Sequence, residues 1–177
     1  TISGTATLAN YQTALRTITY HSTSEDPTVS SSSRTITWVV TDANSDGVGA
    51  ANSSGVTSTI SITPLSDVPV VTAGATLAYT ENGSAAVVDN TIAITDVDDI
   101  QLVGGTITIS SGFTAGDILT LATQNGISQT SYSSGVLTIS GTATLANYQT
   151  ALRSITYHST SEDPTVSSSS RTITWVV

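Results

Sequence analysis

The chain has 177 residues and a formal net charge of -9, with 13 acidic residues against 4 basic ones. All four basic residues are arginines and there is no cysteine, which excludes disulfides, thiolate metal sites, lysine Schiff-base chemistry and a basic nucleic-acid-binding surface. A hydrophobic content of 38% favours a folded protein over a disordered one, and no apolar run predicts membrane insertion.

The first 40 residues are one copy of an internal repeat. Residues 138–177 have the same sequence except that Thr17 is replaced by Ser154, so 39 of 40 positions are identical at an offset of 137 residues. A period of this length is the size of a whole domain. The sequence therefore predicts that this chain is part of a tandem array of near-identical domains. Because the chain also lacks methionine, we expect it to be a piece of a longer protein.

The next feature along the chain is an acidic loop after the strand-like run that contains Trp38. Asp42, Asn44 and Asp46, followed by Gly47, match the first half of the EF-hand calcium loop. No flanking helices are evident, and Ser53 stands where the EF-hand has its bidentate glutamate. These residues predict either a partial calcium loop completed by other ligands or an Asx/Gly-rich hairpin turn.

A domain boundary is predicted near Asp67 and Val68. Pro64 and Pro69 flank this position, and proline is tolerated at strand edges and in linkers rather than in central strands. Residues 1–68 are then the C-terminal part of one repeat domain, and residues 69–177 are the N-terminal part of the next. Since neither domain is complete, we expect each to need an adjacent copy, either in covalent tandem or as a filament neighbour.

Apolar and polar residues alternate with a period of two through most of the chain, which predicts half-buried antiparallel strands. Turn residues separate these runs at the spacing typical of β-sandwiches. Leu145, Tyr148 and Leu152 instead recur at helical spacing and predict a short helix within residues 144–153. The predicted fold is all-β, with tandem antiparallel β-sandwich domains of cadherin or Ig type and one short helix per repeat. The apolar strand positions include Ile60, Ile62, Ile92, Ile94, Ile107, Ile109, Leu119, Leu121, Leu137, Ile139, Ile173, Trp175 and Val177.

Three carboxylates, Asp96, Asp98 and Asp99, directly follow the predicted strand that ends at Thr95. With few cations in the chain, such a cluster repels itself unless a metal ion neutralises it. Ca²⁺ takes six to eight oxygen ligands and is the expected ion. Asp89 and Asp117, in contrast, are interpreted as ordinary turn residues.

Several short motifs together carry a resemblance to a known family. Residues 63–70, with the sequence TPLSDVPV, resemble the "NDxPV" linker of bacterial cadherin-like repeats. The match extends through residues 81–83, 94–99, 116–119, 137–141 and 148–153. As a set, these motifs resemble the tandem repeats of giant type I-secreted (RTX-type) bacterial adhesins. In that family the domains are Ca²⁺-rigidified β-sandwiches that hold a distal binding module away from the cell.

The resemblance also implies a set of calcium ligands between domains. Carried over position by position, they are Asp67, Glu81, Asp96 and Asp98, with Asp99 and Asp42 as further candidates. Ser66 stands where the family usually has Asn, so one linker ligand is missing from the pattern.

Three functions are compatible with these features. The first is an extracellular structural repeat of a bacterial surface adhesin or fibre, which gives reach and Ca²⁺-dependent rigidity. The second is a filament in which a strand of the next subunit completes an unfinished sandwich. The third is a glycan- or ice-binding module built on threonine-rich faces. An enzyme is not expected, because His158 lies on the polar face of its strand and no serine has the context of a nucleophile.

Overall fold

The computed structural model describes residues 1–177, which form two compact units, Thr1–Leu65 and Ser66–Val177. Every paired strand in both units is antiparallel. The prediction of an all-β fold with short helices is confirmed. No helix in the chain is both long enough and apolar enough to cross a bilayer.

The first unit contains one helix and one hairpin. Helix α1 spans Leu8–Arg16, and strands β1 (Ser33–Trp38) and β2 (Val56–Ser61) pair along their full length. The Thr7 side chain caps the helix by accepting a hydrogen bond from the amide of Asn10. None of the residues in this unit is fully buried. The first unit therefore has local structure without a core.

The second unit is built from nine strands and one helix. A four-stranded sheet has the order β11-β6-β9-β8, a three-stranded sheet the order β4-β10-β7, and β3 pairs with β5. The elements are β3 (Val70–Thr72), β4 (Ala86–Val87), β5 (Ala93–Thr95), β6 (Gln101–Ser111), β7 (Asp117–Thr120), β8 (Ser128–Ser133), β9 (Val136–Thr144), α2 (Leu145–Leu152), β10 (Thr156–Ser159) and β11 (Thr172–Val176).

The core of the second unit comes from the apolar phase of these strands. Ile107 and Leu137 face each other across β6 and β9 and are both fully buried, as is Leu119 on the other sheet. The alternating residues of the same strands, such as Thr106 and Thr138, are partly exposed. Two antiparallel sheets with one apolar face each bury those faces together, as in a β-sandwich.

Helix α2 extends the core beyond the sheets. It begins after Thr144, whose hydroxyl accepts a hydrogen bond from the Asn147 amide at 3.2 Å. Tyr148 and Leu152, predicted to share one face, are completely buried, and the helix contacts β5, β6 and β9. The Tyr148 hydroxyl donates to the carbonyl of Gly141 at 2.6 Å, so the one polar atom of that buried ring is satisfied. The predicted helix and its buried face are confirmed.

Candidate metal centre

The acidic cluster lies in the tight turn between β5 and β6. The amides of Asp98 and Asp99 donate to Oδ1 of Asp96 at 3.1 and 2.9 Å, which folds the turn back on the Asp96 side chain. As a result, Asp96, Asp98 and Asp99 each offer a carboxylate oxygen within 4.8 Å of the others. The structure thus brings together three of the predicted ligands.

Asp67 joins this cluster through its backbone. Its amide donates to Oδ2 of Asp98 at 3.1 Å, across 31 positions of sequence. The other oxygen of that carboxylate, Oδ1, is buried and has no hydrogen-bond partner. A buried carboxylate oxygen without a donor is costly, and a cation is a suitable partner for it. The donor set, which is entirely oxygen, fits Ca²⁺.

The electrostatics of the cluster are those of mutually repelling charges. The Asp99 and Asp98 amides stabilise the charged form of Asp96 and lower its pKa. For Asp98, the Asp67 amide favours ionisation, but burial and the neighbouring Asp96 and Asp99 carboxylates outweigh it and raise the pKa. The cluster thus favours the ionised form of Asp96 and disfavours the ionised form of Asp98. A bound cation would favour the charged form of both.

The clustered carboxylates do not include the remaining predicted ligands. Glu81 is exposed and lines a cavity beside β10 and β11. In the first unit, the Asp42 side chain accepts hydrogen bonds from the amides of Asn44 and Ala51. The Asn44 side chain accepts one from the Gly49 amide, and the Asp46 side chain accepts one from the Val48 amide. Their side-chain oxygens therefore organise the loop backbone in the manner of Asx turns. Calcium ligation by Glu81, Asp42, Asn44 and Asp46 stays a prediction.

Asp117 is a buried acid whose role the sequence interpretation missed. It is 2% exposed, and Arg171 donates to it from Nε at 2.5 Å and from Nη2 at 3.2 Å. The Tyr157 hydroxyl and the Thr114 amide add two further hydrogen bonds, at 2.6 and 2.8 Å. Burial opposes the charge, but the hydrogen bonds from Arg171 and Tyr157 outweigh it and lower the pKa of Asp117.

The interpretation of Asp117 as a turn residue is wrong, and a signal for its burial was present. Asp117 has the same alternation phase as Leu119 and Leu121, both of which are buried. A carboxylate in that phase faces the core and needs a cation. Arg171 is the cation, and its other hydrogen bonds, to the carbonyls of Ser168 and Pro164, fasten the β10–β11 loop to β7.

Asp89 is also more than a turn residue. It is 3% exposed and accepts hydrogen bonds from the amides of Gly74, Ala75 and Thr91 and from the Thr91 hydroxyl. Burial raises its pKa, but these four donors together lower it to about 2. Asp89 therefore ties residues 74 and 75, which form no strand, to the edge of the core.

Comparison with known proteins finds a relative of part of this chain. The chain is 39% identical over 108 residues to halomucin of Haloquadratum walsbyi, a match that covers 57% of this chain and 1% of halomucin. No protein-family model and no solved structure matches the chain. The matched part is a very small share of a very long polypeptide. The similarity and the β-sheet fold together fit a repeat module of a large surface protein.

Proposed function

We propose that this chain is an extracellular structural repeat module of a surface adhesin or fibre, whose domains give reach and are stiffened by Ca²⁺. The observation that carries the proposal is the 137-residue repeat, in which 39 of 40 overlapping positions are identical. Repetition at this level of identity suits a protein in which the number of copies, and so the length of the chain, is useful. The similarity to halomucin, a chain of which this match is 1%, supports the same interpretation.

The calcium part of the proposal rests on the turn between β5 and β6. There Asp96, Asp98 and Asp99 present oxygens within 4.8 Å of each other, and Asp98 has an unpartnered buried oxygen. The Asp67 amide connects this turn to the beginning of the second unit. A cation bound here would hold the segment that enters the domain against the β5–β6 turn. In a tandem array, such a contact would limit the bending of each domain at its linker.

Calcium binding is tested by titration and thermal unfolding of the 177-residue chain. With Trp38 replaced by Phe, Trp175 is the only tryptophan and reports on the second unit alone. At a free Ca²⁺ concentration about 100 times the Kd, binding adds about 2.7 kcal/mol to the stability of the folded state. This corresponds to a rise in Tm of roughly 10 °C for a unit of this size. EGTA should reverse the rise.

The control variants separate the cluster from general charge effects. Asp98→Asn should abolish the Ca²⁺-dependent rise in Tm, because it removes the carboxylate with the unpartnered oxygen. Glu162→Gln removes the same charge at an exposed position of the β10–β11 loop and should leave the rise intact. The calcium proposal fails if Tm and the small-angle scattering profile of the unsubstituted chain are unchanged by EGTA.

A further inference from the structure

The chain contains two tripeptides of the form Asn-x-Ser, Asn52-Ser53-Ser54 and Asn82-Gly83-Ser84. In an extracellular protein this tripeptide is the acceptor for N-linked glycosylation, provided that it lies in a surface loop. Because Ser is abundant in this chain, such a tripeptide also arises by chance. The structure distinguishes an accessible acceptor from an incidental match.

Asn82 lies at the tip of a tight turn. The Gly83 amide donates to the carbonyl of Thr80 at 2.9 Å, and Asn82, the third residue of this turn, has a φ of 59°. Asparagine tolerates this left-handed conformation better than most residues do. Asn82 and Ser84 are both exposed and lie outside every strand. An enzyme can therefore reach the acceptor amide and the Ser84 hydroxyl without unfolding the unit.

The exposure of this turn does not depend on the free edge of β11. Glu81 lines the cavity beside β10 and β11, but neither Asn82 nor Ser84 does. A further strand of the chain that pairs with β11 would cover this cavity, and the tip of the turn would remain on the surface.

Asn52, in contrast, is held by its neighbours in the β1–β2 hairpin. It forms a β-bridge with Thr41, and its Oδ1 accepts a hydrogen bond from the Thr41 hydroxyl at 2.6 Å. The Ser53 hydroxyl accepts a hydrogen bond from the Val40 amide at 3.1 Å. An enzyme that binds this tripeptide has to break these contacts first, so the folded chain should present Asn52 less readily than Asn82.

We propose that Asn82 is the N-glycosylation site of this module and that the donor substrate is an oligosaccharide linked to a lipid phosphate. In the transfer, Nδ2 of Asn82 forms a bond to the anomeric carbon of the first sugar. The bond from that carbon to the phosphate oxygen breaks, the phosphate leaves with the electron pair, and one Nδ2 proton passes to a base of the transferase. The Ser84 hydroxyl is the group that the transferase recognises beside the asparagine.

This proposal rests on the proposed function only in that the module must be extracellular. In an array with a period of 137 residues, the turn recurs once per domain, so each domain would carry one glycan. A glycan is bulky and solubilising. It would add hydrated volume at the same place on every domain of the array.

The direct test is the mass of one peptide of the array isolated from its own cells. Cleavage after glutamate cuts at Glu25, Glu81 and Glu162, which places the two tripeptides in separate peptides, 26–81 and 82–162. Peptide 82–162 should carry one glycan, and a glycosidase that cleaves the Asn–sugar bond should convert Asn82 to Asp. The proposal is overturned if Asn82 is unmodified, or if the glycan is found on peptide 26–81 alone.

The contribution of the fold is tested on the 177-residue chain made in cells without N-glycosylation. A purified oligosaccharyltransferase and its lipid-linked substrate are added to the folded chain, and transfer is followed on the same two peptides. Ser84→Ala should abolish transfer to Asn82, whereas the matched Ser54→Ala should leave it unchanged. Both variants keep Asn82 itself in its turn.

The rates at the two asparagines separate the effect of the fold from the preference of the enzyme. The ratio of the Asn82 rate to the Asn52 rate should be about fivefold or more higher in the folded chain than in free peptides of residues 78–86 and 48–56. An equal ratio, or no transfer to Asn82 in the folded chain, would contradict the proposal. The Ca²⁺-dependent rise in Tm is a separate measurement, so failure here leaves the structural role of the module standing.

Discussion

The buried pair of Asp117 and Arg171 gives the sharpest prediction, because the repeat supplies its own control. Arg34 is the repeat equivalent of Arg171 and makes the same loop contacts, to the carbonyls of Pro27 at 2.6 Å and Ser31 at 2.7 Å. Arg171 bonds the equivalent carbonyls at the same two distances. The difference is the carboxylate: Arg171 has Asp117, and this is the only ion pair in the chain.

Arg171→Gln should therefore lower the stability of the second unit strongly, whereas Arg34→Gln should not lower it. It leaves the Asp117 carboxylate, whose side chain is completely buried, without its cation. Removal of one partner of a buried pair costs about 3–5 kcal/mol. For a unit of this size that is a fall in Tm of roughly 12–20 °C. Arg34→Gln removes only exposed or half-buried hydrogen bonds of the first unit and should leave the transition reported by Trp175 unchanged.

The assay is thermal and urea unfolding of each variant, in the Trp38→Phe background, as a function of pH. The pKa of Asp117 is lowered in the folded chain, so its pair with Arg171 contributes stability that is present above the unfolded-state pKa of 3.8 and is lost as the pH falls below it. The difference between the unsubstituted chain and Arg171→Gln should therefore shrink from pH 7 to pH 3. Equal losses for the two arginine variants, or a difference that does not depend on pH, would refute this account of the pair.

Three further predictions use the same reporter. Gly141→Ala should abolish the cooperative transition of the second unit, because the new Cβ would lie 2.0 Å from the Gly126 carbonyl oxygen. Gly4→Ala is the control: Gly4 has the same repeat position and a similar positive φ, but a Cβ there meets no atom within 4 Å. Leu152→Ala should cost about 2–5 kcal/mol in urea unfolding, since the side chain is fully buried, and Leu15→Ala, its half-buried repeat equivalent, should leave the transition unchanged. Asp89→Asn should remove stability at pH 7. It should also reduce the loss of stability in acid titration between pH 3.8 and about 2, the range in which the unfolded chain binds this proton more readily than the folded chain.

The sequence predicts local structure better than tertiary partners. The helix within residues 144–153 could be found because its apolar spacing is encoded within one short segment. The inward phase of the strands could be found for the same reason. The alternation phase of Asp117 indicates burial, but its cation, Arg171, lies 54 positions away and could not be identified from sequence. No local pattern indicates that a carboxylate in the inward phase has such a partner.

In the candidate metal centre, too, the local clustering was predictable from sequence and the long-range contact was not. Asp96, Asp98 and Asp99 are adjacent in sequence, so their clustering was predictable from a turn alone. The contact from the Asp67 amide to Asp98 spans 31 positions and depends on how the linker folds onto β5, which only tertiary structure fixes. The boundary was predicted from Pro64 and Pro69, whereas the ligand role of Asp67 came only from the resemblance.

The two copies of the 40-residue repeat show which elements form from local sequence alone and which need contacts with other parts of the chain. In both copies the helix forms after a threonine cap, with nearly the same cap dihedral angles. In contrast, residues 19–22, the copy of β10, form no strand, and Tyr20 is 45% exposed where its equivalent, Tyr157, is 8% exposed. The strand needs β4 and β7 as partners, and both lie in the part of the repeat that precedes it.

This comparison predicts that the cooperative folding unit is longer than the repeated 40-residue segment. Half a period, as in the first unit, retains a helix and a hairpin but buries no side chain, while the second unit, with more of the period, builds a core of sixteen apolar residues. A hairpin such as β1–β2 is marginal by itself in water. Strand β11, the repeat equivalent of β1, packs Ile173 and Trp175 against a core because the second unit contains the residues that precede it in the repeat.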